Sequence, residues 1–298
     1  MRETGQEAIS ALSPGAPQLR GIFPWLMIAV RRAHDPSRRF RGDVRLTLMT
    51  PRVLVVQNDA DKPLGRIAHG LVEAGVELDT RMSAGHLPGL AAYDGLITLP
   101  GLANPDDDTP ALRRVRAAIE SALERGAPVL GLCLGGQLLA EAFGGTTYRS
   151  RAELGFRAVT KTPQAAGDPL LTAAPDRFSI FHAHAYAFNP PPDAVVLLEN
   201  DVCIQACRLG EAWAFQCHPE PELEWIEELA RGIRGERSLV GPGTIEFFTS
   251  NGVDPDALAD MGREAGATAA TVADSIAHGF AARVLAQARA SQSRAASW

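Results

Sequence analysis

The sequence predicts an α/β protein: an open, mostly parallel sheet with helices on both faces, a strand-rich second half and a helical C-terminal extension. Three observations predict it. From Arg52 to about Phe143, short β-branched apolar runs alternate with amphipathic helical stretches, the mark of repeated β-α-β units. After residue 144 most of the regular runs read as strands. From 255 to 290 the chain is alanine-rich and reads as two helices, after a turn and cap signal at Asn251-Gly-Val-Asp-Pro.

The elements follow in order. Residues 52–57 form a short apolar run typical of a buried parallel strand. Pro63 opens and Gly75 closes a helix. Strands follow at 76–80 and 94–100. Asp108 or Thr109 caps a helix that reaches about Arg125, with Leu112, Val115, Ile119 and Leu123 on one face. A fourth strand runs over 127–133 into a helix from Gly135 to Phe143. Further strands are expected at 156–161, 177–183, 194–199, 203–208 and 212–217, then a helix at 221–234.

Residues 1–50 differ from the rest. The Ser-Pro-Gly-Ala-Pro stretch at 13–17 and an arginine-rich stretch from Arg31 to Arg41 oppose packing, so a disordered extension is expected. Met49, directly before the first strand, is a candidate natural start. The expected division is this extension, a catalytic domain over 51–235 and a helical extension over 236–298. With 298 residues, 46% apolar and 21% charged, the chain can bury a sizeable core. A net charge of −6 gives no support for nucleic-acid binding. The apolar run Gly21–Val30 is too short to span a bilayer, and proline interrupts it. Four cysteines in a chain of this length are not a disulfide framework, so a reducing, cytoplasmic setting is expected.

The strongest chemical signal is Gly131-Leu-Cys133-Leu-Gly135-Gly136-Gln137 at a strand-to-helix junction. A cysteine there sits on a sharp turn, its glycine neighbours allowing close backbone approach. The next helix aims free N–H groups and its positive end at the sulfur, which favours thiolate and can hold an oxyanion. The second signal is His218-Pro219-Glu220 at the end of a strand. An imidazole can exchange a proton with the cysteine, and a carboxylate two residues on can hold its tautomer.

Together these stretches resemble the class I glutamine amidotransferases. The family's Gly-x-Cys-x-Gly-x-Gln element matches 131–137 and its Gln-Phe-His-Pro-Glu element matches 216–220, and the likeness runs from about Val53 to Glu220. Finer similarity, at 53–59, Leu99–Leu102, Glu153–Gly155, 181–184 and 205–210, points to stand-alone proteins akin to the amidotransferase domain of GMP synthase. The resemblance implies a flavodoxin-like fold, with Cys133 as nucleophile, His218 as base and acid, and Glu220 as orienter. It implies an oxyanion hole from Gly101 or Leu102 with Leu134, and a substrate pocket lined by Gln137, His184, Ala185 and Tyr186. The implied activity is release of ammonia from glutamine through a cysteinyl γ-glutamyl thioester, without metal or cofactor. A γ-glutamyl amide or peptide hydrolase and a catalytically silent regulatory protein are the alternatives. The chain shows no phosphate-binding Gly-x-x-x-x-Gly-Lys-Ser/Thr loop, so either a separate synthase accepts the ammonia or the enzyme simply hydrolyses a γ-glutamyl bond.

Three positions depart from the family pattern: Leu102 where a second glycine is common, Ala185-Tyr186 where the family has Gly-Asp, and Cys217 where it has phenylalanine. Other signals are assigned to structure. His182 and His184 share a strand face, but no third ligand stands at metal-binding spacing. Cys203 and Cys207 are expected in the core, and Asp106–Asp108 before a helix N-terminus.

Overall fold

A computed structural model describes residues 50–296. The extension expected before residue 50 and the candidate start at Met49 lie outside the described residues. Nine strands form one sheet among these residues: β1 (Arg52–Gln57), β2 (Glu77–Met82), β3 (Gly95–Thr98), β4 (Val129–Leu132), β5 (Thr146–Lys161), β6 (Arg177–Asn189), β7 (Val195–Glu199), β8 (Ile204–Leu209) and β9 (Ala212–Phe215). Their order is β2-β1-β3-β4-β9-β8-β7-β5-β6. The strands from β2 to β9 run parallel, and those from β9 to β6 pair antiparallel. The fold class is therefore as expected, with the antiparallel half supplied by the strand-rich second half of the chain.

Alternation along the central strands sorts side chains to two faces. Leu54, Val56, Leu96 and Val129 face one core with α2 (Pro110–Glu124) and α3 (Leu134–Ala142). Thr109 caps α2 as expected, its hydroxyl accepting the Leu112 N–H at 3.2 Å. Val53, Val55, Ile97, Leu130 and Leu132 face the other core, covered by α1 (Gly65–Glu73) and α6 (Pro255–Ala296).

The C-terminal segment differs from expectation. It is one 42-residue helix, not two. Val272, Ile276, Phe280 and Val284 are fully buried in the sheet's own core, so α6 is a layer of the fold and not an appendage. The apolar stripe outweighs the helix-weakening Gly262, Gly266 and Gly279. At Gly279 a Cβ would lie 2.3 Å from the Pro169 carbonyl oxygen, so that glycine serves close packing.

Two further helices, α4 (Leu223–Ile233) and α5 (Pro242–Ser250), build a third cluster with Leu154, Phe181 and Leu258. No helix was expected at α5 from the sequence. No described helix is long and apolar enough to cross a membrane.

Candidate active site

Cys133 stands between β4 and α3 with φ 48° and ψ −110°, the one non-glycine residue at positive φ among those described. Such a conformation costs of order 1–3 kcal/mol and persists only where surrounding structure over-determines it. The surroundings do so here. The Cys133 N–H donates to the Phe215 carbonyl at 2.7 Å, tying the turn to β9, and Gln137 N–H donates to the Cys133 carbonyl at 2.8 Å. The glycines are needed for backbone contact: a Cβ on Gly135 would lie 2.2 Å from the Thr98 oxygen, and one on Gly136 2.5 Å from the Phe215 oxygen. The sulfur thus sits at the N-terminal end of α3, where the first helical N–H groups, beginning with Leu134, lack intrahelical partners.

His218 follows β9, its N–H bonded to the Phe181 carbonyl at 2.8 Å. Its Nδ1 lies 2.7 Å from Glu220 Oε1. Both side chains are buried, as is Cys133. Burial works against a charged ring, but the Glu220 carboxylate and the Cys133 sulfur outweigh it and raise the His218 pKa to about 10. His218 Nε2 has no hydrogen bond of regular geometry, and it shares one cleft with Cys133. The backbone of Glu220 is anchored in turn by α1: Arg66 N–H donates to its carbonyl at 3.0 Å, an approach that only a glycine at position 65 permits.

The cleft has a cavity volume of about 140 Å³. Of the expected residues, Gly101, Leu102, Cys133, Gln137, His184, Ala185, Tyr186, His218 and Glu220 all line it. Leu134 does not; its side chain is buried against Gly101, where a Cβ would come within 2.7 Å of it. At the oxyanion loop the two candidates separate. Leu102 N–H donates to Asp59 Oδ2 at 2.7 Å, which leaves Gly101 as the loop's other donor. Gln137 Nε2 donates to the Tyr186 carbonyl at 3.0 Å and to Gln216 Oε1 at 3.1 Å. Gln216 Nε2 points at Cys133 Sγ, 3.7 Å away.

Sequence reasoning missed Asp59, Gly65 and the contact role of Gln216. Gln216 and Asp59 stood inside recognised stretches, whereas nothing local marked Gly65.

A second cluster repeats the residue types. Glu153 and His184 are cross-strand partners of β5 and β6, and Cys203 precedes β8. Their ligand atoms lie within 4.8 Å of one another. Sequence spacing offered no third ligand beside His184; the fold brings two groups to it, Glu153 by sheet pairing and Cys203 from the turn before β8. Glu153 is already well supplied with donors, from Asn200 Nδ2 and Gln205 Nε2, each at 2.7 Å, and from Cys203 Sγ at 3.7 Å. Burial opposes its charge, yet His184, whose Nε2 lies 3.3 Å from its Oε2, and the His182 imidazole hold its pKa below the ordinary carboxylate value. Burial and Glu153 push the Cys203 thiol far up, so it stays protonated. Cys207 lies in one core, as expected, and Cys217 in the other. His182 is structural, with Nδ1 2.9 Å from the Ile180 carbonyl.

Fold and site together define a cysteine hydrolase: an α/β sheet with a strained thiol on a strand–helix turn and a buried imidazole–carboxylate pair beside it. Residues 59–225, more than half of the chain, match the family described as Glutamine amidotransferase class-I. The chain belongs to that family, an enzyme family of amidotransferases and hydrolases. It is 32% identical over 195 residues to the imidazole glycerol phosphate synthase subunit HisH of Synechococcus sp. (strain JA-2-3B'a(2-13)), covering 57% of this chain and 85% of that one. It is 35% identical over 129 residues to a glutamine-hydrolyzing GMP synthase subunit of Methanococcoides burtonii, covering 43% and 64%. A glutamine amido transferase from Methylobacillus flagellatus shares the fold, with a TM-score of 0.65, 27% identity, and coverage of 80% and 95%.

Proposed function

We propose that Cys133, His218 and Glu220 are the catalytic set, and that they release ammonia from glutamine through a γ-glutamyl thioester. The Cys133 sulfur attacks the carboxamide carbon. The oxyanion is met by Leu134 N–H and by Gly101 of the loop that also carries Leu102. His218, protonated, gives its proton to the departing ammonia; neutral, it then takes one from water, which cleaves the thioester. Glu220 holds the ring and balances its charge. Gln137, His184, Ala185 and Tyr186 line the substrate end of the cleft. None of these steps calls for a metal or cofactor. The observation that carries the reading is the 2.7 Å His218–Glu220 contact in one cleft with a positive-φ cysteine.

With glutamine as substrate, a separate synthase is the partner this reading calls for, and two relatives carry the word subunit in their names. Cys133, Cys203, Cys207 and Cys217 are all free thiols, which suits a reducing cytoplasmic setting. A γ-glutamyl amide hydrolase is the second reading, favoured by the apolar wall that α5 adds to the cleft. The test is incubation with glutamine and measurement of ammonia and glutamate. Covalent capture by a glutamine-mimicking electrophile, mapped by mass, should mark Cys133. Capture at Cys203 alone would contradict the assignment.

A further inference from the structure

The cleft has a cavity volume of about 140 Å³, where a single water-sized molecule needs only about 10–15 Å³. An ammonia leaving group needs only a proton donor. Part of the cleft lining is aromatic, and much of it comes from α4 and α5, beyond the sequence motifs. Phe247 and Phe248 come from α5, Trp225 from α4 and Phe181 from β6. Phe181 is the hub of this wall: it stacks on Phe248 with centroids 5.8 Å apart, and meets Trp225 and the His218 ring edge-on at 5.9 and 5.8 Å. The apolar wall therefore begins beside the imidazole that protonates the leaving group. Leu102, 46% exposed at the mouth, extends it.

The lysine of the lining is already occupied. Lys62 is the lysine of the lining, and its Nζ reaches Thr244 Oγ1 at 2.7 Å, Asp59 at 3.2 Å and Asp61 at 3.3 Å. Three N–H donors meet three acceptors, so none is left for a substrate carboxylate. No arginine lines the cleft among the described residues. Trp225 Nε1 donates to the Asp61 carbonyl at 2.8 Å, which leaves its ring, not its N–H, for the ligand.

We infer that this wall is a leaving-group subsite, and that the enzyme cleaves γ-glutamyl amides of neutral apolar amines, aromatic or alkyl, in preference to glutamine and to γ-glutamyl peptides. The inference rests on the thioester chemistry proposed above. The S–C bond forms as the C–N bond breaks, and His218 passes its proton to the amine nitrogen. Water then adds to the acyl carbon, and the S–C bond breaks to give glutamate and the regenerated cysteine. A peptide's leaving group carries a carboxylate, which here would enter an aromatic pocket with no free cation.

The test compares kcat/KM of the full chain on γ-glutamyl benzylamide, γ-glutamyl butylamide, γ-glutamylglycine and glutamine. The expected result is a value for benzylamide about tenfold or more above those for γ-glutamylglycine and glutamine. Phe247→Ala, at a half-buried position, should lower the benzylamide-to-glutamine ratio about tenfold, and Phe247→Leu should restore part of it. Equal kcat/KM on all four substrates, or preference for γ-glutamylglycine, overturns the inference. Electrophile capture at Cys133 separates the failures. Capture with glutamine turnover but no amine preference sinks the subsite alone; no capture and no turnover on any substrate sinks the chemistry beneath it.

Discussion

Two constellations in this molecule contain a cysteine, a histidine and a glutamate, and they behave as opposites. In the first, Cys133, His218 and Glu220 meet where β4 and β9 end, with the sulfur at a helix N-terminus and the ring beside an open cleft. In the second, Glu153, His184 and Cys203 meet in the antiparallel half of the sheet, and donors converge on the carboxylate. The first raises the imidazole pKa, with a thiol beside it to share the proton. The second spends its charge on internal hydrogen bonds and keeps its thiol neutral. Residue types do not make a catalytic set; the backbone conformation that presents the sulfur and the groups surrounding the carboxylate do.

The sharpest way to break this comparison is to remove each sulfur. Cys133→Ala should lower glutamine turnover by about 10⁴-fold or more, the scale for a lost nucleophile. Cys203→Ala should leave it within about threefold, since no proton or substrate passes through that thiol. Ammonia release measures both, and comparable losses would erase the distinction.

The carboxylates come next. Glu220→Gln should cost about 10²–10³-fold in kcat, less than the nucleophile because Glu220 acts through His218. It should also move the alkaline limb of kcat/KM to lower pH. With Glu220 present His218 keeps its proton up to about pH 10, and loss of the carboxylate removes a main cause of that rise. An unmoved limb would mean that another group titrates there. The same shift enters stability. The folded His218 pKa lies above the ordinary 6.5, so its stabilisation is present below 6.5 and is lost as pH rises through about 10.

Glu153→Gln should act on folding instead. Breaking a buried pair costs about 3 kcal/mol, read as a lower denaturant midpoint at unchanged slope. The pH sense is opposite to that of His218. The folded Glu153 pKa lies below the ordinary carboxylate value, so its contribution is present above that value and is lost as pH falls through the lower folded one. A variant that keeps its stability across that acid range would show the cluster to be dispensable.

The contrast also explains what the sequence could reveal. The proposed catalytic constellation was legible because each part is local: glycines around Cys133 for a turn, and Pro219 between His218 and Glu220. Strand β1, helix α2 and its Thr109 cap were legible for the same reason. Glu153, His184 and Cys203 come from three segments that only antiparallel pairing unites, and no local pattern carries that register. Strands β5 and β6 run longer than expected because the Tyr148–Arg151 stretch, half exposed near a sheet edge, lacks clean alternation. Helix α5 has nine residues with adjacent aromatics and little helical period. The role of α6 was hidden because alanine and glycine bury well yet score weakly as apolar periodicity.

The smallest expected effect concerns a third carboxylate. Around Glu153, donors serve a carboxylate and nothing else needs them. At the oxyanion loop Asp59 takes the Leu102 N–H at 2.7 Å, a donor that a tetrahedral oxyanion could use. Lys62 holds the same Asp59 oxygen at 3.2 Å, so the arrangement is braced. Asp59→Ala frees the N–H to turn toward Cys133, and each well-aimed oxyanion donor is worth about 2.7–4 kcal/mol when fully engaged. Against this stands the lost brace on an exposed loop, which consumes most of the gain in ordering. The net expectation is a rise in kcat of about threefold with KM little changed, a difference of under about 1 kcal/mol. A fall in kcat would show instead that Asp59 is the anchor that keeps the loop in place, and that the Leu102 N–H adds nothing to the Gly101 and Leu134 donors.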